Sequence, residues 1–362
     1  MAKIKNIEFN NFRNLKNFKT SFDDKLNILF GDNGCGKTNI LEGISLIAKG
    51  RGIRNSNIAN FIKKEEDNFL IKNNLEIQKN NYDIKIFTDY KNDKFKKIIK
   101  INDDLSKDSL DFLNRSISYL IFVPEMERLF QASPSYRRNF IDRLIFTSKN
   151  NYNNLINKYK KSLLERIKLL QANNFDNDWL NNIEREICKL GLEIYNLRYE
   201  QVNYINNDLN DLKNDHKFQF NVKLEIKDDF FNNDINFEKY LFSLKDSRNY
   251  DKHYGGTKFG PHRSDIISII NEDFEASLLS TGQQKTVVLM ILLAQCNHLV
   301  NNKKINPILL FDEIGSHLDR HNRQILLDMI NRFDIQFFLT GTDKNLFSFV
   351  STNANFYNIT SI

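Results

Sequence analysis

The segment GDNGCGKT, residues 31–38, constrains this chain more than any other stretch. It has the spacing G-x-x-x-x-G-K-[ST], in which glycines let successive backbone N–H groups curl around phosphate oxygens. Such a loop works only between a strand and a helix. Here LNILF (26–30) reads as a strand, and Ile40, Leu41, Ile44, Ile47 and Ala48 recur at helical spacing beyond Thr38. The helix N-terminus adds the positive end of its dipole. Lys37 would neutralise β- and γ-phosphates, and the Thr38 hydroxyl would ligate Mg²⁺. Gly31, Asp32, Asn33, Gly34, Cys35, Gly36, Lys37 and Thr38 are therefore read as a nucleoside triphosphate site in an α/β chain.

A second segment, ILLFDEIGSHLD (308–319), supplies what such a site lacks. Four apolar residues make a buried strand that delivers Asp312 and Glu313 to its C-terminal end, where ligands bind in open α/β sheets. Asp312 would hold Mg²⁺ directly or through water. Glu313 would polarise the attacking water as a general base. A carboxylate pair in this place makes hydrolysis, beyond mere binding, the expected chemistry.

The third segment, LSTGQQK (279–285), precedes the apolar helical run 286–294. Alone it would be a helix cap. Lying between the other two segments in this order, it resembles the LSGGQ signature of ABC-type ATPases. In that family the signature of one protomer touches the γ-phosphate held by the other. Ser280, Thr281, Gly282 and Gln283 would form that anion site at a helix N-terminus, closing a nucleotide between two copies. Ser316, His317, Leu318 and Asp319 look like the family's D-loop, which helps join the dimer. The strand 336–339 leads to Thr340-Gly341-Thr342, where many ABC proteins carry a switch histidine. None stands here, so Thr340 or Thr342 is the candidate substitute. Arg13, in NNFRNL, either reaches the nucleotide or forms a surface salt bridge. His298 is a packing or surface histidine.

The remaining chain frames these motifs. Residues 70–101 read as antiparallel strands separated by turns at Asn80-Asn81 and Asn92-Asp93, with Tyr82, Ile84, Ile86 and Thr88 alternating. A further strand at 117–123 stops at Pro124. Glycine is almost absent from 135 to 212, where Leu180, Ile183, Ile187, Leu190, Ile194 and Leu197 step by three and four. This face packs on its own domain in preference to an interchain coiled coil, because the heptads are few. Phe218, Phe220, Val222, Leu224 and Ile226 alternate as a strand. The 362 residues are 41% hydrophobic, enough for a sizeable core. Cys35, Cys188 and Cys296 have no metal-ligand spacing, which fits a reducing cytoplasm. The longest apolar run, 287–294, is well short of the roughly 20 residues that span a bilayer. No membrane is expected. A net charge of +6 is compatible with a polyanion without demanding one.

Over nearly its whole length the chain resembles the RecF family of bacterial recombination mediators. The resemblance rests on NFRNL (11–15), GDNGCGKTNILEGI (31–44), PEMERLFQASPSYRRNFID (124–142), YGGTKFGPHRSDI (254–266), LSTGQQK (279–285), PILLFDEIGSHLDRHNR (307–323) and FFLTGTD (337–343). Residues 124–142 and 254–266 discriminate, since general ABC proteins lack them. Two departures stand out: Asp312-Glu313 where the family usually has Asp-Asp, and Cys35 where Ser or Ala is commoner. The resemblance implies an ABC-type ATPase head (1–123 and 251–362) with an antiparallel β subdomain, and a mostly helical insertion lobe (124–250). It implies binding of ATP and Mg²⁺, an ATP-dependent homodimer and slow hydrolysis that times release. It further implies DNA binding at single-strand gaps, RecR and RecO type partners, and help in loading RecA recombinase. Arg137, Arg138 and Arg143 offer DNA phosphate contacts, or else ion pairs with Asp142 or Glu125. No aromatic stacking motif for single strands is evident. An ABC transporter subunit is the alternative; a clamp of SMC type would need far longer coiled-coil arms.

Overall fold

The computed structural model describes residues 2–47, 52–54, 56–91, 94–172, 176–213, 220–230, 235–315, 319–350 and 354–360. The chain divides into two compact units, one of Met1–Glu127 with Thr281–Ile362 and one of Arg128–Ser280. The first unit opens with β1 (Ala2–Phe12), β2 (Leu15–Ser21), β3 (Leu26–Phe30), α1 (Lys37–Ser45), β4 (Leu70–Ile77), β5 (Asn80–Lys91), β6 (Lys94–Ile101), α2 (Lys107–Ser116) and β7 (Tyr119–Phe122). The second holds α3 (Pro134–Phe146), α4 (Tyr152–Gln171), α5 (Asn177–Lys213), β8 (Val222–Lys227), α6 (Phe237–Asp246), α7 (Arg248–Tyr254), β9 (Asp265–Ile270) and β10 (Phe274–Glu275). The chain then returns to the first unit with α8 (Thr281–Asn297), β11 (Ile308–Phe311), α9 (Arg320–Arg332), β12 (Phe337–Gly341) and β13 (Ala354–Asn358).

A parallel sheet in the order β13-β3-β12-β11-β7 is the centre of the first unit. Every residue of β11 (ILLF) and β12 (FFLTG) is buried. Unbroken apolar runs of this kind suit strands covered on both faces. Helix α8 is buried along its whole middle, from Gln284 to Cys296, which explains why apolar residues occur on all its sides. The second sheet, β2-β1-β4-β5-β6, is antiparallel. Gln336, fully buried, ties it to the first: its amide donates to the carbonyls of Ile4 (2.9 Å) and Asp23 (2.8 Å) and accepts from the Ile4 N–H (2.8 Å).

The alternation in β5 buries Ile84, Ile86 and Thr88, as its period requires. The β4–β5 turn, however, is at Gln78-Lys79 and not at Asn80-Asn81. Ile77 pairs with Asn80, and Gln78 and Lys79 both have positive φ (51° and 70°). A two-residue loop with both residues left-handed follows the twist of the strands, and here geometry prevails over the asparagine preference. The expected turn at Asn92-Asp93 lies outside the described residues. Against β1, the Cβ of an alanine at Gly43 would come within 2.1 Å of the buried Phe9 ring. Gly43→Ala should therefore cost about 1–3 kcal/mol, despite alanine's better helix propensity, read as a lower thermal midpoint.

In the second unit α5 packs against α3, α4, α6 and β8, and Leu180, Ile183, Ile187, Leu190 and Ile194 of its apolar face are buried. β9 pairs with β8 from Val222↔Ile270 to Lys227↔Asp265, so residues 251–280 fold with the middle of the chain. The boundary expected at 251 falls instead at Ser280/Thr281, because that strand pairing was not visible as sequence pattern. Val222 and Leu224 carry the expected alternation; Phe218 lies outside the described residues. At the heart of this unit Arg166 is completely buried. Its guanidinium pairs with Glu184 (3.0 Å) and Asp251 (2.7 Å), and also donates to Thr257 Oγ1 (3.2 Å) and the Leu244 carbonyl (2.6 Å). Both carboxylates are likewise sealed from solvent, and Arg248 supplies Glu184 with a second cation at 2.6 Å.

Candidate nucleotide-binding site

β3 delivers the chain into residues 31–36, and α1 begins at Lys37. Two glycines are indispensable there. Gly31 has φ +148°, and a Cβ on it would sit 2.3 Å from the Ile359 carbonyl oxygen. Gly36 has φ +112°, and its Cβ would lie 2.9 Å from Leu15 Cδ2. Lys37 is nearly buried, and its ammonium folds back on the loop, donating to the carbonyls of Gly31 (2.6 Å) and Asp32 (2.8 Å). Cys35 Sγ lies 3.7 Å away. All three cysteines of the chain are buried thiols.

Asp312 follows the last residue of β11 and is the focus of the site. The Thr38 hydroxyl lies 2.9 and 2.8 Å from its two carboxylate oxygens, and the Thr340 hydroxyl donates to Oδ1 at 2.8 Å. Burial pushes the Asp312 carboxyl upward from its ordinary range. The two threonine hydroxyls and the Arg54 charge oppose that rise, and Glu125 adds to it. Glu313 comes next, exposed and in the left-handed region (φ +49°), its N–H donating to Thr340 Oγ1 at 2.7 Å. Thr340 thus connects the two acidic residues from the end of β12. Thr342, the other candidate at the missing histidine, is exposed.

Arg13, also left-handed (φ 57°), clasps the buried Glu42 of α1 with Nε at 2.9 Å and Nη2 at 3.1 Å, and lies over the Phe61 ring. Its neighbour Asn14 touches the phosphate loop instead, donating to the Gly34 carbonyl (3.1 Å) and accepting from Asn39 (2.7 Å). Asn14, Asn39 and Arg54 escaped the sequence reading; Asn14 and Asn39 adjoin Arg13 and Thr38, whereas Arg54, beyond α1, had no such signal. Ser280 and Thr281 are exposed at the start of α8, and a Cβ on Gly282 would meet nothing within 4 Å. Gln283 is half-buried beside them. Of the D-loop residues, Ser316, His317 and Leu318 lie outside the described residues, and Asp319 caps α9 by accepting from the Asn322 N–H (2.8 Å). His298 is buried, which pushes its imidazole below the usual range.

Within the second unit, Arg137 is committed to Asp265 (2.8 and 2.6 Å), and Arg138 donates to the Ser264 carbonyl (2.5 Å). Asp142 is claimed by Arg198 (2.8 and 2.9 Å) and by the Tyr152 hydroxyl (2.6 Å). Arg137 and Arg138 are thus bound up in internal contacts, but with Asp265 and Ser264 where Asp142 and Glu125 were expected. Arg143 is exposed.

Among the described residues no three His, Cys, Asp or Glu side chains converge as a metal cage, and no helix is long and apolar enough to cross a membrane. A hydroxyl beside a carboxylate suits a hard divalent ion that takes its other ligands from phosphate and water.

The model of the RecF/RecN/SMC N terminal domain family matches residues 3–361. The DNA replication and repair protein RecF of Rickettsia massiliae is 32% identical over 343 residues, 94% of each chain, and that of Rickettsia prowazekii is 33% identical over the same span. A solved structure of the recombination mediator protein RecF with ATPrS, in the RecFOR pathway, covers 97% of this chain and 95% of its own at 28% identity and a TM-score of 0.83. An Smc head domain from Pyrococcus furiosus shares the fold alone, with 17% identity and a TM-score of 0.53. The fold is therefore that of an ABC-type ATPase head, and the chain belongs to the RecF family of DNA replication and repair proteins.

Proposed function

We propose that the protein binds ATP and Mg²⁺ at residues 31–38, pairs with a second copy across the phosphates, and works on DNA at single-strand gaps. The observation that carries the nucleotide chemistry is the meeting of Thr38, Asp312 and Thr340 beside the Lys37 loop. Its relatives are named DNA replication and repair proteins, and one solved relative is described as RecF-ATP in the RecFOR pathway. The RecFOR name supports a partnership with RecO and RecR type proteins; a part in loading RecA recombinase and a place in the cytoplasm complete the proposal.

Lys37 would leave the carbonyls of Gly31 and Asp32 for the β- and γ-phosphates. Thr38 and Asp312 would hold Mg²⁺, which would supply positive charge to offset that of the phosphates. Glu313 would take the proton of the attacking water, and Thr340 would sense the γ-phosphate by holding Asp312 and the Glu313 backbone together. Ser280, Thr281, Gly282 and Gln283 of the second copy would close the site. Two-fold symmetry then gives two sites per dimer. Hydrolysis would be slow and would time release of the dimer from DNA.

Sedimentation with and without ATP·Mg²⁺, on gapped duplex DNA and without it, tests the proposal. Dimers that need ATP and bind the DNA are expected; ATP-independent monomers or dimers indifferent to DNA would overturn it. Glu313→Gln should keep ATP-dependent dimers yet slow hydrolysis by about 10²–10⁴-fold. Ser280→Arg should spare ATP binding by the monomer and abolish pairing.

A further inference from the structure

The second unit carries an exposed ladder of aromatic rings and cations that the nucleotide chemistry does not use. Tyr250 and Tyr254 stand four residues apart on α7, one turn above the other. Their rings stack with centroids 5.6 Å apart and planes 17° from parallel. Both remain more than half exposed, at 51% and 61%. Lys258 Nζ lies 5.2 Å from the Tyr250 centroid, and the Arg263 guanidinium lies 5.6 Å from that of Tyr254. Lys252 and His253, between the tyrosines, are exposed as well.

The support beneath the rings is rigid. Asp251 is buried and held by Arg166 (2.7 Å) and the Ser247 hydroxyl (2.7 Å). Its carboxylate accepts from the Lys258 N–H (2.9 Å), and its carbonyl from the Gly255 N–H (2.9 Å), which stops α7 in a left-handed cap. Arg263 Nε donates to the Thr257 carbonyl (3.0 Å), so the loop that carries both cations is closed on itself. Gly256 lies beside both groups: a Cβ there would be in ordinary contact with Arg263 Nη2 (3.5 Å) and Tyr254 (3.7 Å). Rigid tyrosines offer contact area at small entropic cost. Flexible cations beside them can swing to phosphates, freeing a ring face for a base.

We infer that Tyr250 and Tyr254, flanked by Lys258 and Arg263, form a stacking platform for unpaired nucleobases of single-stranded DNA. Stacking accepts any base, since every base has a π-face, and the cations hold the sugar-phosphate chain without reading sequence. The inference rests on the DNA-binding reading above and deepens it, because it assigns the single-stranded part of a gapped substrate to a specific surface.

The test compares blunt duplex, the same duplex with a gap of thymidines, and a free oligothymidylate, each binding measured by fluorescence anisotropy with ATP present. Tyr250→Ala with Tyr254→Ala should weaken the gapped duplex and the oligothymidylate by roughly ten- to a hundredfold, the size expected from losing a stacked base. Blunt-duplex affinity and ATP binding should hold. Tyr250→Phe with Tyr254→Phe keeps the rings and should bind as the parent does, which separates stacking from a loss of fold. Arg263→Ala should lose affinity at low salt, with a shallower salt dependence. Unchanged affinity for the gap in the alanine pair, or equal losses on gapped and blunt duplex, would overturn the platform while leaving DNA binding intact. Failure of the parent protein to bind any of the three DNAs would overturn the functional reading itself, and the platform with it.

Discussion

Lys37→Ala should lower ATP affinity by at least about a hundredfold, since it removes a charge-assisted contact worth roughly 3 kcal/mol. The ammonium is nearly buried and held by the carbonyls of Gly31 and Asp32, so it already stands where phosphate oxygens would arrive. Alanine leaves those two carbonyls near solvent, where water replaces the lost donor at little cost. The variant should therefore keep its fold and lose its ligand. Titration calorimetry with ATP·Mg²⁺ reads the affinity, and thermal unfolding without nucleotide reads the fold. Loss of ATP-dependent dimers in sedimentation should accompany the loss of affinity. Parent-like binding by a folded Lys37→Ala protein would remove the phosphate loop from the account.

The second large effect concerns stability. Arg166→Leu should destabilise the second unit by about 3–5 kcal/mol, because it strands Glu184 and Asp251 where no water reaches them. Compensation is partial: Arg248 still meets Glu184, and Ser247 and the Lys258 N–H still meet Asp251. That residual bonding argues for the lower end of the range. Urea unfolding should show an earlier transition for the second unit, with ATP affinity retained in mild conditions. Replacing Arg166, Glu184 and Asp251 together by apolar residues of similar volume should recover most of the loss, since the costly element is the unpaired charge. If Arg166→Leu alone unfolds at the parent's urea concentration, the network contributes nothing to the fold.

Several parts of this architecture were legible because one local rule decided them. The phosphate loop needs glycines at Gly31 and Gly36, and the structure shows why: both have positive φ, and a Cβ on Gly31 would meet the Ile359 carbonyl oxygen. The buried strands at 26–30 and 308–311 announce themselves as short apolar runs. Other parts depend on contacts between distant segments, which periodicity does not record. Arg166 sits in a helical stretch like any surface arginine, and only the approach of Asp251, 85 residues later, makes it a core residue. The pairing of β8 with β9 moved residues 251–280 out of the expected ATPase core. Thr340 was one of two threonines left open; its hydroxyl meets Asp312 from β12, whereas Thr342 is exposed. The tyrosine ladder was missed because its cations come from a loop beyond the helix, and a pair of tyrosines four apart has no distinctive pattern of its own.

The internal bonding of the proposed nucleotide site also bears on how a ligand would enter it. Lys37 rests on the loop's carbonyls, and Asp312 is held by two hydroxyls. On the proposed reading, nucleotide and metal would take over some of these bonds, and the affinity would be a difference between two sets of bonds. The protein acts as its own placeholder. A ligand at the proposed site would thus compete with the protein's own carbonyls and hydroxyls for the same partners, and only contacts beyond those exchanged would add to its affinity.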